Sequence, residues 1–182
     1  MVTKKPRIKF TYIDYKNTPD DKRYELLDGE LVVVPSPRTI HQRTLLKLAS
    51  RLCYFVEERG LGEVYFAPFD VVLSDTDVVQ PDILYVSNER AGIVTEDNVQ
   101  GAPDLVIEIL SPSTAERDRT FKRSLYAHHG VREFWIVDTN VGSVEVLTLG
   151  EQGFTLTAAY NRDQELTSPV LEGLRIKLNE VF

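Results

Sequence analysis

One short run of residues constrains the fold of this chain more than any other. Leu105-Val106-Ile107-Glu108-Ile109-Leu110 is apolar at every position but one, and Ser111-Pro112 ends it. An apolar run of this length, bounded by a turn, is typical of a central β-strand that is buried on both faces. A carboxylate in such a strand is costly unless it is compensated, so Glu108 requires a cation, a basic partner or an exposed sheet edge.

The patterns before this run predict a hairpin, a helix and several strands. Tyr24–Leu27 and Glu30–Val34 flank Asp28-Gly29, a pair that is typical of a tight β-hairpin turn. Apolar residues then recur at helical spacing from Arg38 to Arg59, and Gly60 is the expected helix end. Strand-like runs follow at residues 63–67, 69–73 and 78–86.

The patterns after the run predict a second helix and further strands. Ser113-x-x-Glu116 is a capping box, and Gly130 marks the end of the helix that it opens. Strands are predicted at residues 133–138, 143–149 and 154–160. The element order predicts an α/β fold, with a central mixed β-sheet flanked by helices and an N-terminal β-hairpin. We expect one domain over residues 1–182, with an N-terminal arm at 1–23, a core at 24–140 and C-terminal strands at 141–182.

Composition and charge narrow the function classes. The 182 residues include 21 basic and 28 acidic side chains, a net charge of -7. This net negative charge argues against a protein that binds DNA mainly through its own positive charge. Local basic residues or a bound cation could offset the negative charge. The single cysteine excludes an internal disulfide. Because the sequence has neither an apolar run long enough for a membrane span nor a signal-peptide pattern, we expect a cytoplasmic protein without membrane contact.

Asp82 is a candidate partner for Glu108. Gln80-Pro81-Asp82 directly precedes an apolar run, which is also what an ordinary strand-entry turn looks like. Two carboxylates on neighbouring strands, with a backbone carbonyl, would supply the hard oxygen ligands that Mg²⁺ or Mn²⁺ prefers.

Lys122 is the candidate basic residue. Asp118, Lys122 and Tyr126 are spaced at i, i+4 and i+8, so they share one helix face. An ordinary Asp-Lys surface pair would look the same. The helix begins just past the Glu108 strand, however, and can fold back over it.

Two further residues are secondary candidates, and each has an ordinary alternative. His41 lies on the apolar side of the long predicted helix, where a histidine is often a hydrogen-bonded core residue. Glu30 follows the hairpin turn and is also explained as a strand-end carboxylate near solvent. The sequence contains no phosphate-binding G-x-x-x-x-G-K-[ST] loop, no G-x-S-x-G elbow and no Cys/His set for zinc.

Taken together, the segments resemble the Uma family of putative restriction endonucleases, a branch of the PD-(D/E)xK nuclease superfamily. The matching segments are Tyr24 to Glu30, Ser36-Pro37 with His41, Gln80 to Ile83, Pro103 to Ser113, and Tyr126 to Asp138. They extend from about residue 24 to about residue 140, most of the chain. Each segment alone is unspecific, but the ordered set is specific.

The resemblance implies a restriction endonuclease-like core and assigns roles. Asp82 and Glu108 match the two acids of the motif and, with the backbone carbonyl of Ile109, would hold Mg²⁺ or Mn²⁺. The superfamily's lysine usually lies two residues after the second acid, but that residue here is Leu110. Lys122 would be its replacement, with Asp118 as a further candidate on the same helix.

The resemblance also implies a function, which is Mg²⁺-dependent hydrolysis of DNA phosphodiester bonds. A homodimer is expected, because cutting both strands needs two sites. Arg117, Arg119, Lys122 and Arg123 could contact DNA, or they could be a solvated helix face. Two alternatives stay open: a non-catalytic binding or assembly module with a vestigial site, and a nuclease that acts on RNA.

Overall fold

The computed structural model describes residues 8–19 and 21–182. The helices are α1 (Tyr12–Lys16), α2 (Thr39–Arg59) and α3 (residues 115–129). Short 3₁₀ turns occur at Asn88–Ile93 and Leu178–Glu180. The strands are β1 (Tyr24–Leu27), β2 (Glu30–Val33), β3 (Gly62–Phe66), β4 (Val71–Ser74), β5 (Asp77–Val79), β6 (Ile83–Ser87), β7 (Val99–Gln100), β8 (Leu105–Ile109), β9 (Glu133–Asp138), β10 (Ser143–Gly150), β11 (Gly153–Asn161), β12 (Glu165–Thr167) and β13 (Arg175–Lys177).

Two larger sheets organise these strands. The six-stranded sheet has the order β11-β10-β9-β8-β6-β3, and the five-stranded sheet has the order β2-β1-β5-β4-β7. Each is mixed, because β8–β9 and β4–β7 pair in parallel while the other pairs are antiparallel. A third sheet contains β12 and β13. The predicted α/β fold with a mixed sheet and helices is confirmed.

The central strand β8 is buried on both faces, as predicted. Leu105, Ile107 and Ile109 point into a core that also contains the apolar side of α2. Val106 on the opposite face packs in a second core with Tyr126 of α3. Since alternate residues of a strand face opposite sides, Glu108 points toward the second core.

The predicted hairpin turn is confirmed and has the backbone geometry that it requires. Asp28 and Gly29 adopt φ values of 48° and 74°, and β1 pairs with β2 in antiparallel register on either side of them. Positive φ at both central residues is the signature of a type I′ turn, whose twist matches that of the flanking strands. Of the predicted N-terminal arm, residues 1–7 and 20 lie outside the described residues, and α1 lies within the remainder.

The predicted strand over residues 78–86 is wrong as a single element. The run forms two strands in different sheets, β5 in the five-stranded sheet and β6 in the six-stranded sheet. Pro81 lies at the break, where a residue without an N–H group cannot continue a ladder. The break places Asp82 at the point where the chain passes from one sheet to the other.

The predicted capping box at Ser113 and Glu116 is also wrong in its position. Helix α3 begins at Ala115, and its N-cap residue, Thr114, makes no side-chain cap hydrogen bond. The hydroxyl of Ser111 lies 3.0 Å from the hydroxyl of Ser113, which joins the serines within the loop instead. The predicted helix end is confirmed, since Gly130 adopts φ 86° as the C-cap. No helix within the described ranges is long and apolar enough to cross a membrane.

Candidate active site

A cleft of about 180 Å³ opens at the carboxyl end of β8, between two loops. One loop connects β2 to α2 and includes Pro35 and Pro37, and the other connects β8 to α3 and includes Ser111 and Pro112. The ionisable side chains that line the cleft are Arg23, Glu25, Arg38, His41, Asp82, Glu108, Arg117, Asp118 and Lys122. Of the six side chains that the sequence predicted as site residues, all except Glu30 line the cleft.

The strand register brings Asp82 and Glu108 to the same place. β6 and β8 are antiparallel neighbours in which Ile83 lies opposite Ile107. Continuing this register by one residue puts Asp82 opposite Glu108, and directly opposite residues project from the same face of a sheet. Oδ2 of Asp82 also accepts a hydrogen bond of 2.7 Å from the backbone N–H of Ile109, which anchors the carboxylate beside the end of β8.

Lys122 reaches the Glu108 strand from helix α3. Its Nζ atom lies 3.0 Å from Oε1 of Glu108 and 2.7 Å from Oε1 of Glu25, and both contacts are buried. Oδ1 of Asp118, one helical turn earlier, lies 3.8 Å away. The buried carboxylate of Glu108 is therefore compensated by a basic partner, one of the three solutions that the sequence left open.

Helix α3 is not a regular α-helix where these residues lie. Asp118–Lys122 forms a π-helical turn between α-helical segments at Ala115–Arg117 and Arg123–His129. A π-turn adds a residue to the helix and changes which side chains share a face. Beyond it, the hydroxyl of Tyr126 donates a hydrogen bond of 2.6 Å to Oε1 of Glu108. The same carboxylate oxygen therefore accepts from both Lys122 and Tyr126.

Burial and mutual charge shift the pKa values of this cluster. Burial raises the pKa of Glu108 well above its ordinary value of 4.5; the ammonium of Lys122 opposes this, and the neighbouring carboxylates add to it. The pKa of Asp118 is raised for the same main reason, burial. Burial lowers the pKa of Lys122, but the carboxylates of Glu108, Glu25 and Asp118 outweigh this and raise it. Lys122 therefore stays charged at neutral pH.

His41 lies on the Asp82 side of the cleft. Its Nε2 atom is 3.1 Å from Oδ2 of Asp82, and the residue is 9% exposed. Burial lowers the pKa of His41, but the hydrogen bond to Asp82 and that carboxylate's charge leave it above the ordinary 6.5. A backbone hydrogen bond with Ile109 acts in the same direction. The prediction that His41 is close to the site is consistent with this geometry.

The structure does not bring Glu30 to the cleft. Glu30 is exposed at the start of β2 and is absent from the residues that line the cleft. The acid that the hairpin supplies is Glu25 of β1, which is 3% exposed. Besides Lys122, its Oε1 atom accepts a hydrogen bond of 2.9 Å from the backbone N–H of Gln80. The sequence signal for Glu25 was available, because it is a carboxylate within the apolar run Tyr24–Leu27.

Comparison with known proteins places this chain in a family. The family model Uma2, described as "putative restriction endonuclease", matches residues 11–179. The chain belongs to the Uma2 family. The resemblance inferred from the ordered motifs is thereby confirmed. No curated protein sequence gives a significant match to this chain.

A solved structure has the same fold as this Uma2 protein. It is the crystal structure of a putative nuclease belonging to DUF820 from Anabaena variabilis. The TM-score is 0.79 at 19% sequence identity, and the match covers 95% of this chain and 97% of that chain. At this level of identity the likeness is evidence for the fold.

One position departs from the motif that the resemblance implied. Leu110, where that motif would place a lysine, is 6% exposed and packs in the second core. A lysine at this point would have to displace that apolar packing. The ammonium group that contacts Glu108 belongs to Lys122, 14 residues later in the chain.

Proposed function

We propose that this Uma2 protein is a divalent-metal-dependent endonuclease that hydrolyses phosphodiester bonds of DNA. The observation that carries the proposal is the meeting of Asp82, Glu108 and Lys122 in one cleft, supplied by two adjacent strands and a helix. Two acids and a lysine are the groups needed to hold a cation and to stabilise charge at a phosphate. The family to which the chain belongs, described as "putative restriction endonuclease", supports a nuclease activity.

The chemistry of the side chains fits Mg²⁺ or Mn²⁺. Glu25, Asp82, Glu108 and Asp118 face the cleft with one lysine, so the carboxylates outnumber the ammonium. Oδ1 of Asp118 is buried and has no hydrogen-bond partner among the described residues. Within residues 8–19 and 21–182 no three His, Cys, Asp or Glu side chains are grouped closely enough to hold an ion by themselves. Mg²⁺ needs fewer, because it commonly uses one or two carboxylates and retains several waters.

Asp82 and Glu108 would hold the cation, with the backbone carbonyl of Ile109 as a third ligand. A bound divalent cation lowers the pKa of a coordinated water and offsets negative charge on the phosphate. The N–H of Ile109 fixes the orientation of the Asp82 carboxylate, and His41 contacts the same oxygen. The protein thereby prepares the ligand geometry before substrate arrives.

Lys122 is proposed to supply positive charge to the reacting phosphate. Its ammonium is held by Glu25 and Glu108 and has a raised pKa, so it remains protonated. A protonated lysine can orient a water molecule and face charge that develops in the transition state. It cannot accept a proton in that state, so its role is electrostatic.

DNA is the proposed substrate, and a homodimer is the proposed assembly, because a cut through both strands requires two sites. The experiment is incubation of the native protein with supercoiled plasmid, a labelled DNA duplex and a matched RNA, each with Mn²⁺ or with EDTA. We expect Mn²⁺-dependent cleavage of DNA and a loss of about a hundredfold in rate for Lys122→Ala, similar to removal of one charge-stabilising donor.

Asp82→Asn is the second variant, because Asp82 is less buried than Lys122 and the change is nearly isosteric. It is expected to abolish cleavage while the circular dichroism spectrum stays native. Cleavage of RNA but not of DNA would show that the substrate is RNA. No cleavage of either nucleic acid by folded native protein would indicate a non-catalytic module.

A further inference from the structure

The charges that line the cleft are separated into two layers. Its acidic side chains, Glu25, Asp82, Glu108 and Asp118, are each at most 16% exposed. They form the floor. Its arginines, Arg23, Arg38 and Arg117, are half-buried or exposed and form what we call the arginine rim. Among the described charged residues that line the cleft, Glu25, Glu108, Asp118 and Lys122 are buried, whereas the three arginines are not. The net charge of the whole chain is -7.

The arginine rim lacks the carboxylate partners that most other arginines of the described residues have. Six of the nine other described arginines have a carboxylate partner within 4.0 Å: Arg51, Arg59, Arg90, Arg119, Arg132 and Arg175. Within the described part of the chain, Arg23, Arg38 and Arg117 form no such pair. Arg23 makes one long hydrogen bond of 3.5 Å, to the carbonyl of Pro35. The rim guanidinium groups therefore keep donors available for an external anion.

The three arginines come from both sides of the cleft. Arg23 and Arg38 flank the hairpin and the loop that leads to α2, whereas Arg117 lies in the first turn of α3 after the Ser111-Pro112 loop. An anion bound at the floor alone would not span both sides. A chain of anions that passes over the floor would contact both sides, and its central group would lie above Asp82 and Glu108.

The first turn of α2 reinforces the positive character of one side. It contains no acidic residue, and no side chain caps it. No acidic side chain of this turn therefore neutralises the positive end of the helix dipole next to Arg38. The planar fork of an arginine suits phosphate oxygens, which it can contact through two parallel hydrogen bonds.

We propose that the arginine rim binds the backbone phosphates of a polynucleotide on either side of the phosphodiester at the floor. Arg23 and Arg38 contact phosphates on one side of the reacting group, and Arg117 contacts a phosphate on the other. The inference rests on the proposed function for the identity of the central group. This inference adds that the substrate is a strand with several consecutive phosphates. It also adds that the arginine rim contacts the phosphate backbone and does not distinguish base sequences.

The test measures binding separately from hydrolysis. Fluorescence anisotropy of a labelled DNA duplex is followed in EDTA over a range of salt concentrations, with native protein and the triple variant R23Q/R38Q/R117Q. The matched control is Arg43→Gln, which removes an exposed arginine of α2 that does not line the cleft. We expect at least about tenfold weaker binding for the triple variant, and a salt slope that is smaller by about 0.9 for each phosphate that the variant no longer neutralises.

The outcomes separate this proposal from the proposed function. The proposed role of the arginine rim is overturned if the triple variant binds DNA as tightly as the native protein does. It is also overturned if Arg43→Gln weakens binding as much as the triple substitution does. Either result counts even if the native protein cleaves DNA. Failure of the native protein to bind any polynucleotide also overturns it. Rim-dependent binding by a protein that cleaves nothing would support the rim and contradict the nuclease activity.

Discussion

Nζ of Lys122 lies 3.0 Å from Oε1 of Glu108, at a buried contact between helix α3 and the central strand β8. This contact gives the carboxylate of Glu108, which is buried in the middle of an apolar strand, the charged partner that it needs. We propose that Lys122 takes the place of the lysine that the resemblance implies at Leu110. The same ammonium also contacts Glu25 of β1. Side chains from β1, β8 and α3 therefore form one buried cluster of charges.

Removal of that charge is expected to destabilise the fold. In Lys122→Met, three buried carboxyl groups would lose their basic partner, and breaking such a buried cluster costs about 3 to 5 kcal/mol. Urea unfolding at pH 7 measures the loss. Lys177→Met, at an exposed position of β13, is the control and should change the free energy of unfolding by less than about 0.5 kcal/mol. Equal effects of the two substitutions would contradict the buried cluster.

Glu25 offers a test of two hydrogen bonds within this cluster. Its carboxylate accepts from the backbone N–H of Gln80 and from Lys122. Glu25→Gln retains an acceptor of the same shape, whereas Glu25→Ala leaves both donors without it. We expect Glu25→Ala to be less stable than Glu25→Gln by about 1 to 3 kcal/mol in urea unfolding. A difference near zero would show that these bonds contribute little.

The sequence predicted the part of the site that lies in its most apolar segment. Glu108 required a partner on physical grounds, and the helix after it carried Lys122 at a reachable place. Glu25 was not predicted as a site residue, although it lies within an apolar run, because a hairpin strand ordinarily has one solvated face on which acids are common. In the structure Glu25 is 3% exposed, and both Lys122 of α3 and the backbone N–H of Gln80 contact its carboxylate.

The two errors in the predicted fold have different origins. Residues 78–86 are strand-like on either side of Pro81, and nothing local shows that β5 and β6 pair with different sheets. Pro81 marked a break, but its consequence depends on which neighbours are available on either side. The capping box at Ser113 failed for a local reason, because the helix begins two residues later and the hydroxyl of Ser113 lies beside that of Ser111 within the loop. The hairpin was predictable because its turn geometry is local.

The hairpin turn provides a test of local geometry. A Cβ atom at Gly29, where φ is 74°, would lie 2.6 Å from Cβ of Lys9. Gly29→Ala should therefore lower the free energy of unfolding by about 1 to 2 kcal/mol, since L-residues at such φ values are strained. Gly92→Ala is the matched control, because its added Cβ meets nothing within 4 Å. The idea fails if thermal denaturation shows the same small change for both.

The buried carboxyl group of Glu133 is expected to make stability depend on pH. It accepts hydrogen bonds from Ser168 and from the backbone of Val170, but burial raises its pKa above the ordinary 4.5. A raised pKa means that the folded state holds its proton more tightly than the unfolded state does. Its contribution to stability is therefore present below pH 4.5 and is lost as pH rises through the folded-state pKa.

Glu133→Gln removes that titration. The free energy of unfolding, measured in urea between pH 4 and pH 8, should fall less steeply with rising pH in the variant than in the native protein. Any constant offset from the altered hydrogen bond to Val170 does not affect this comparison. Parallel pH profiles for the two proteins would show that Glu133 does not titrate differently on folding.

Binding of a divalent cation by Asp82 and Glu108 is the central claim, and calorimetric titration with Mn²⁺ tests it most directly. The proteins are native, D82A/E108A, the near-isosteric D82N/E108Q and the control E96A/D97A, which removes two exposed acids of a loop. Near-UV circular dichroism establishes that each is folded. We predict binding heat for the native and control proteins and none for either cleft variant. Absence of binding by the native protein, or equal binding by the folded cleft variants, would contradict the account.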